Sequence, residues 1–297
     1  MSSTKRYDLL RSRLDRFTRT LHGVESGEIG AVHRVRVASR RLRELLPVLE
    51  IEQAVVRKLG RRLRKLTRRL GDVRDLDVLT LLVDELRESG RMPDRALRRV
   101  GGAVHQARNE ARGGLSLTAV AADLKRVGRK LEAIAAELEP ADRERSPAWR
   151  WAVDARVSRR ASTLKAAIEE AGALYLPERL HRVRLALKKL RYGVELAVET
   201  AGIKDSSDLV TLRRGQEALG RMRDLQVLME RVRGVQASLA PPDPVAWREL
   251  AALVTALEHS CRRLHARYVR DRTALTLLCD RLVARPSSGR SIARRAG

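Results

Sequence analysis

The sequence predicts an all-α protein built as two pseudo-twofold-related antiparallel helical bundles, duplicated four-helix-type units. Three observations lead there. Leu, Ala and Arg dominate the 297 residues, and aromatic side chains make up only 3% of them. Apolar residues recur at threes and fours, the period of a helix face, and no segment sustains the alternation of a half-buried strand. Finally, a twelve-residue phrase, His33-Arg34-Val35-Arg36-Val37-Ala38-Ser39-Arg40-Arg41-Leu42-Arg43-Glu44, returns 148 residues later as His181-Arg182-Val183-Arg184-Leu185-Ala186-Leu187-Lys188-Lys189-Leu190-Arg191-Tyr192. A second echo, Leu70-Gly71-Asp72-Val73-Arg74-Asp75-Leu76 against Leu219-Gly220-Arg221-Met222-Arg223-Asp224-Leu225, follows at an offset of 149. Self-similarity at half the chain length is the mark of a duplicated unit.

Apolar periodicity places helices over 4–22, 28–50, 52–70, 72–90, 93–112 and 116–138 in the first half. The second half has helices over 147–173, 177–201, 206–219, 221–239 and 244–283. Pro93 and Pro177 suit first helical turns, where a missing N–H costs nothing. Gly71 and Gly220 are expected to close the helices before them, and Pro241-Pro242-Asp243-Pro244 cannot be helix interior. The segment from Glu139 to Pro147 reads as a linker, dividing the chain into a first bundle over 1–139, a linker over 140–147 and a second bundle over 148–285. The Ser/Gly/Arg-rich stretch 286–297 reads as a disordered basic tail. Short connections between long amphipathic helices favour antiparallel neighbours.

Composition then narrows the partner. The chain carries 62 Lys+Arg against 37 Asp+Glu, a net charge of +25. Residues 1–150 hold 34 basic and 21 acidic side chains and residues 151–297 hold 28 and 16, so the halves are basic to the same degree. A polyanion that touches both halves is expected. Scarce aromatics leave no set of stacking platforms for single-stranded bases. The two cysteines, Cys261 and Cys279, suit neither a disulfide framework nor metal-ligand spacing. With no apolar core in the first ten residues and no apolar run long enough to span a bilayer, a cytoplasmic chain without a membrane partner is expected.

On a helix, His33, Arg36, Arg40 and Arg43 share one stripe, backed by Val35, Ala38, Leu42, Leu45 and Leu46 on the opposite side. His181, Arg184, Lys188 and Arg191 repeat it, with Arg41 and Lys189 as matched flanking cations. Such a ladder rises roughly 15 Å and can engage several phosphates of a linear chain. The plain alternative is a solvated helix face. Solvated faces usually mix signs, however, because like charges at i, i+3 and i+4 repel. Between Arg57 and Arg69, eight of thirteen residues are basic and none acidic, with Arg57, Arg61, Arg64 and Arg68 on one stripe. Arg213 and Arg214 align with Arg64 and Lys65, although Glu217 replaces Arg68 and weakens that patch.

A lone histidine near a helix start is usually structural, and neither His33 nor His181 has a second zinc ligand at i+3 or i+4. Their identical placement, each with Arg three residues on, favours a phosphate contact. The repeated carboxylates Asp75 and Asp224 are either helix N-terminal acids or groups that hold a ladder arginine in place. No Gly-rich phosphate loop, supported Ser/His/Asp arrangement or paired-glutamate triphosphatase pattern occurs, so neither catalysis nor a cofactor or metal is expected.

These residues resemble the CHAD family, the α-helical histidine domain, whose hallmark is a His-x-x-Arg-x-x-x-Arg/Lys-Arg/Lys-Leu-Arg helix in each of two bundles. Both phrases fit it, Leu-Gly-x-x-Arg-Asp-Leu follows each, and the likeness spans residues 5 to 283. The resemblance implies two pseudo-twofold-related bundles and binding of inorganic polyphosphate, often at polyphosphate granules. Many relatives are fused to a triphosphate-tunnel (CYTH) enzyme domain, and none is expected within these 297 residues beside the two bundles. Lys188 and Lys189 stand where the first phrase has Arg40 and Arg41, and offer point charges instead of forks. Arg221 and Gln226 replace Asp72 and Asp77, which thins the carboxylate positions of the second half and leaves equal binding by the two halves open. The expectation is non-catalytic polyphosphate binding; a nucleic-acid-binding or nucleoid-associated protein is the alternative.

Overall fold

Eleven α-helices carry the chain in a computed structural model that describes residues 5–144, 149–203, 206–240 and 242–284. They are α1 (Arg6–Thr18), α2 (Leu21–Glu25), α3 (Ile29–Leu45), α4 (Gln53–Arg69), α5 (Gly71–Glu88), α6 (Asp94–Gly113) and α7 (Leu117–Glu144), then α8 (Trp149–Ala171), α9 (Pro177–Ala201), α10 (Ser207–Ala237) and α11 (Pro244–Ala284). No strand occurs among the described residues, so the chain is all-α as the periodicity predicts. Among those residues no helix is long and apolar enough to cross a membrane. The expected tail over 286–297 lies outside the described residues.

Two hydrophobic cores hold the helices together, and they do not divide the chain at its middle. One core joins α1, α2, α3, α4 and α7, with Trp149 and Val153 from the start of α8 and Leu196 from α9. The other joins α8 from Val157 onward, α9, α10 and α11, and it also takes in α5 and α6. The helical hairpin over 71–113, assigned by sequence to the first bundle, therefore packs with the second. The switch falls at Leu70, which is buried in the first core, while Leu76 belongs to the other.

That switch explains why the two glycines of the second echo behave differently. At Leu70 the backbone leaves helical geometry, and Gly71 opens α5 instead of closing α4. Gly220 lies inside an unbroken α10, so the expected pair of helices over 206–219 and 221–239 is one helix. Its buried stripe, Leu212, Leu219, Met222 and Leu225, runs through Gly220 without changing core. Packing of that stripe offsets the cost, about 1 kcal/mol, of glycine in a helix interior. Gly215 has a stricter role, because a Cβ there would meet Leu187 at 3.0 Å and Leu275 at 3.2 Å, where α9 and α11 close on α10.

Two further boundaries differ from expectation. The helix expected over 4–22 breaks after Thr18 into α1 and α2, with the Thr20 hydroxyl donating to the Phe17 carbonyl. The expected linker over 140–147 is partly helix: α7 continues through Pro140 to Glu144. Asp142 accepts from the buried Arg6 Nε at 2.7 Å and from the Tyr7 backbone N–H at 2.8 Å, so the end of α7 anchors the start of α1. A buried guanidinium needs such partners, and they hold the segment in place.

Candidate functional site

Each histidine of the repeated phrase is the fifth residue of its helix, counted from Ile29 in α3 and Pro177 in α9. The two helices pack against one another, α5 contacts α3, and α10 contacts both α9 and α5. Where these four helices meet, the phrases and the Arg-Asp steps form one centre. Burial and then Arg40, Arg184, Arg74 and Arg36 push the Lys188 ammonium down to about 7. Burial likewise lowers Arg184, opposed by Asp224 and reinforced by Arg40, Arg223 and Arg74. Arg36 is lowered by burial and by Arg40, while Asp75 acts against that shift. Five guanidinium groups and one ammonium thus crowd into a half-buried space from both halves of the chain.

Little inside the protein neutralises them. Arg40, Arg74 and Lys188 make no salt bridge among the described residues. Arg36 donates to the Thr67 carbonyl at 2.5 Å, one of the free acceptors at the end of α4. Asp224 is itself raised, first by burial and also by Asp75, with Arg184, Arg74 and Arg221 opposing. Like charges in a medium of reduced dielectric repel strongly. A polyanion in their midst would reverse the sign of that energy.

The histidines flank this centre. His33 is lowered by burial first, then by Arg74, Arg40, Lys188 and Arg36. His181 is lowered by burial, then by Arg223 and Arg184, and its Nδ1 is buried without a hydrogen-bond partner. A buried polar atom left open beside cations is a position for a ligand oxygen.

The later cations of each phrase do something else. Arg41 Nε pairs with Glu195 at 3.3 Å, and Arg191 donates to the other oxygen of Glu195 and to Gln216 Oε1 at 2.6 Å while lying over the Tyr192 ring. These two arginines clamp α3, α9 and α10 together around a buried carboxylate. Arg43 is half-buried and lowered by burial, Arg40 and Arg64, so it extends the centre toward α4. Lys189 is exposed, as are Arg57, Arg61, Arg64 and Arg68 on α4 and Arg213 on α10, and Arg214 pairs with Asp271 at 3.3 Å. The structure therefore brings His33, Arg36, Arg40, Arg43, His181, Arg184 and Lys188 together with Asp75 and Asp224, and leaves the other predicted cations as ties or outer surface. The inner cations are half-buried, not solvent-facing as the helical wheel suggests.

Sequence reasoning passed over Arg74 and Arg223, whose carboxylate neighbours alone were singled out. The repeat of Arg-Asp at both copies was the available signal. Arg13 and Arg16 of α1, and Arg19 that caps its end, were also missed. They line, with His33, Arg34 and Arg41, a cavity of about 480 Å³ between α1 and α3. Nothing in the repeat marks them. A second cavity, about 330 Å³, is lined by Arg221, Arg263, Arg267 and Arg270 between α10 and α11. No group of His, Cys, Asp and Glu among the described residues could hold a metal ion.

The positions thought to thin the second half prove structural. Asp77 is buried and pairs with Arg108 at 2.6 Å, tying α5 to α6, and its counterpart Gln226 donates to the Tyr175 hydroxyl at 3.0 Å. Arg221, the counterpart of Asp72, makes a two-pronged pair with Glu85 at 2.8 and 2.6 Å.

Comparison with known proteins adds the following. The family profile of the CHAD domain matches residues 8–233. Among solved structures, PptA from Streptomyces chartreusis is similar with a TM-score of 0.64 and 18% identity, covering 91% of this chain and 99% of its own. The CHAD domain from the plant Ricinus communis is similar with a TM-score of 0.61 and 20% identity, covering 92% of this chain and 90% of its own. No curated protein matches the chain.

Proposed function

The chain belongs to the CHAD domain family, and from that premise we propose that it binds inorganic polyphosphate, without turning it over, at the centre where α3, α5, α9 and α10 meet. The observation that carries this reading is the gathering of Arg36, Arg40, Arg74, Arg184, Arg223 and Lys188 from both halves with too few carboxylates to neutralise them. Such a cluster is unfavourable when empty and becomes favourable around a chain of phosphates. The histidines add donors that charge as the polyanion approaches.

A linear, base-free polyanion fits this centre better than a duplex does. The cations are half-buried between four helices, within reach of a thin chain but recessed from the phosphates of a wide, stiff rod. Tyr192, the aromatic residue that ends the second phrase, is buried beneath Arg191 and offers no face to a base. Binding of this kind would also carry the protein to polyphosphate granules. Nucleic acid is the second reading, supported by the eight exposed cations of α4 from Arg57 to Arg69.

Competition at one fixed ionic strength separates the two, because raw affinities of basic proteins for any polyanion depend on salt. Polyphosphate is expected to displace labelled duplex DNA, whereas excess DNA leaves bound polyphosphate in place. DNA displacing polyphosphate at equal phosphate concentration would overturn the first reading in favour of the second.

A further inference from the structure

The cavity between α1 and α3 shares His33 with the centre but belongs to a different helix pair. Its charged lining is five arginines, Arg13, Arg16, Arg19, Arg34 and Arg41, with His33 beside them, over a floor that includes Val37 and Ala38. Three of these guanidiniums already have carboxylate partners. Arg13 is buried and pairs with Glu199 at 2.7 Å, Arg41 pairs with Glu195, and Arg34 pairs with Glu28 at 2.7 Å. Arg16 and Arg19 have no carboxylate partner among the described residues; Arg19 Nε reaches only the backbone oxygen of Asp15 at 3.1 Å. Arg16 lies in the last turn of α1 and Arg19 is the αR residue that caps its end, so the i, i+3 spacing puts them on the same side, about 4.5 Å apart along the axis.

His33 belongs to both places. It lines this cavity, and its imidazole feels Arg74, Arg40, Lys188 and Arg36 of the centre. A chain of phosphates leaving the centre past His33 therefore enters a groove whose open cations lie one helical turn apart.

We propose that the α1–α3 groove is a second polyphosphate subsite, in which Arg16 and Arg19 hold the strand after it has passed His33, so that the protein favours long chains over short ones. The proposal rests on the polyphosphate reading of the centre. A triphosphate is held by the centre alone, and only a longer strand gains the contacts on α1.

The test is titration calorimetry of the full chain with tripolyphosphate and with a long-chain polyphosphate, using Arg16→Glu with Arg19→Glu. Both side chains are exposed, so helicity should be kept. Affinity for the long chain is expected to fall by about tenfold or more, roughly 1.4 kcal/mol, with tripolyphosphate affinity unchanged. A control of equal charge change, Arg129→Glu with Lys130→Glu on exposed positions that line neither cavity, should leave both affinities as they are. Should the glutamate variant lose helicity, Arg16→Gln with Arg19→Gln gives the same pattern with a smaller factor. Undiminished long-chain affinity, an equal loss for both ligands, or an equal loss in the control would each overturn the proposal. Failure of the unaltered protein to bind either ligand would instead overturn the reading of the centre, and the groove proposal with it.

Discussion

In α3 the repeated phrase runs from His33 to a buried carboxylate, Glu44, which takes Arg156 at 2.7 Å and Arg160 at 2.5 Å from α8. In α9 it runs from His181 to Tyr192, an aromatic ring buried under Arg191. The copies agree over the residues that enter the centre, His, Arg at +3 and Arg or Lys at +7, and diverge in partners beyond them. Arg41 is clamped by Glu195 whereas its counterpart Lys189 is exposed, and Arg43 faces the centre whereas Arg191 is locked to Gln216 and Glu195. One motif thus contains two kinds of cation. The early ones repel each other where four helices meet, and the late ones mostly hold helices in register.

The sharpest break in that comparison comes from neutralising the early cations. Arg40→Gln, Arg184→Gln and Lys188→Gln together should reduce polyphosphate affinity at least about a hundredfold, roughly 3 kcal/mol. Relief of their mutual repulsion should raise, not lower, the thermal midpoint of the ligand-free protein. Retained affinity in this variant, or a lower midpoint, would place these residues among the structural ties.

The late cations should respond in the opposite sense. Glu195→Ala leaves Arg191, and the partly exposed Arg41, without their shared carboxylate, a change expected to destabilise the fold on the order of 3 kcal/mol. Polyphosphate affinity should change by less than about threefold, or roughly 0.7 kcal/mol. Urea unfolding measures the first quantity and calorimetry the second. A stable Glu195→Ala variant with weakened binding would make the clamp part of the site.

Much of this was legible in the sequence, and the rest fails for identifiable reasons. Helix type and most helix extents follow from apolar period, and each histidine of the repeat is the fifth residue of its helix. Which cations face inward does not follow, because a helical wheel gives direction and not neighbours. Arg36 and Arg43 share a stripe, yet Arg36 reaches the end of α4 and Arg41, off the stripe, meets a glutamate 154 residues away. The division of cores was equally hidden. Duplicated sequence suggests two separate halves, but packing passes the hairpin over 71–113 to the other core, and nothing local in that segment records its distant partners. Pro140 and Gly220 mislead for the same reason, since tertiary anchoring by Asp142 and a continuous buried stripe override local breakers.

Protonation sharpens the contrast between Arg40 and Lys188, the one substitution of type within the shared positions. Lys188 titrates at about 7 in the folded chain against an ordinary 10.5. The unfolded chain therefore binds more protons between those values, so ligand-free stability should rise with pH across that window and show its full penalty below it. Bound polyphosphate favours the ammonium and raises its pKa. The lysine's contribution to affinity should then be level below about pH 7 and fall above it by up to about tenfold per pH unit while one proton is taken up. Lys188→Arg should remove this fall, because a guanidinium stays charged. The lowered histidines act in the same direction at lower pH, and His33→Ala with His181→Ala should flatten the remaining dependence. Calorimetry in buffers of different ionisation enthalpy counts the protons, and an unchanged profile in Lys188→Arg would remove the lysine from the site.

The smallest effects should come from the outer patches, where the halves differ most. Arg57 and Arg61 stand exposed on a face with no acid between Arg57 and Arg69. Arg214 is already paired with Asp271, and Glu217 follows at helical spacing from Arg213 and Arg214. Replacing Arg57 and Arg61 by Gln should weaken polyphosphate binding about threefold at low salt. The loss should shrink at physiological salt, where screening reaches within about 8 Å. The matched change Arg213→Gln with Arg214→Gln should cost less than about twofold, roughly 0.4 kcal/mol, at either ionic strength. Titration of both variants at two salt concentrations decides it. Equal losses would mean that the second-half patch contributes as fully as α4 despite its internal carboxylates, and the asymmetry would then be confined to the buried clamp around Glu195.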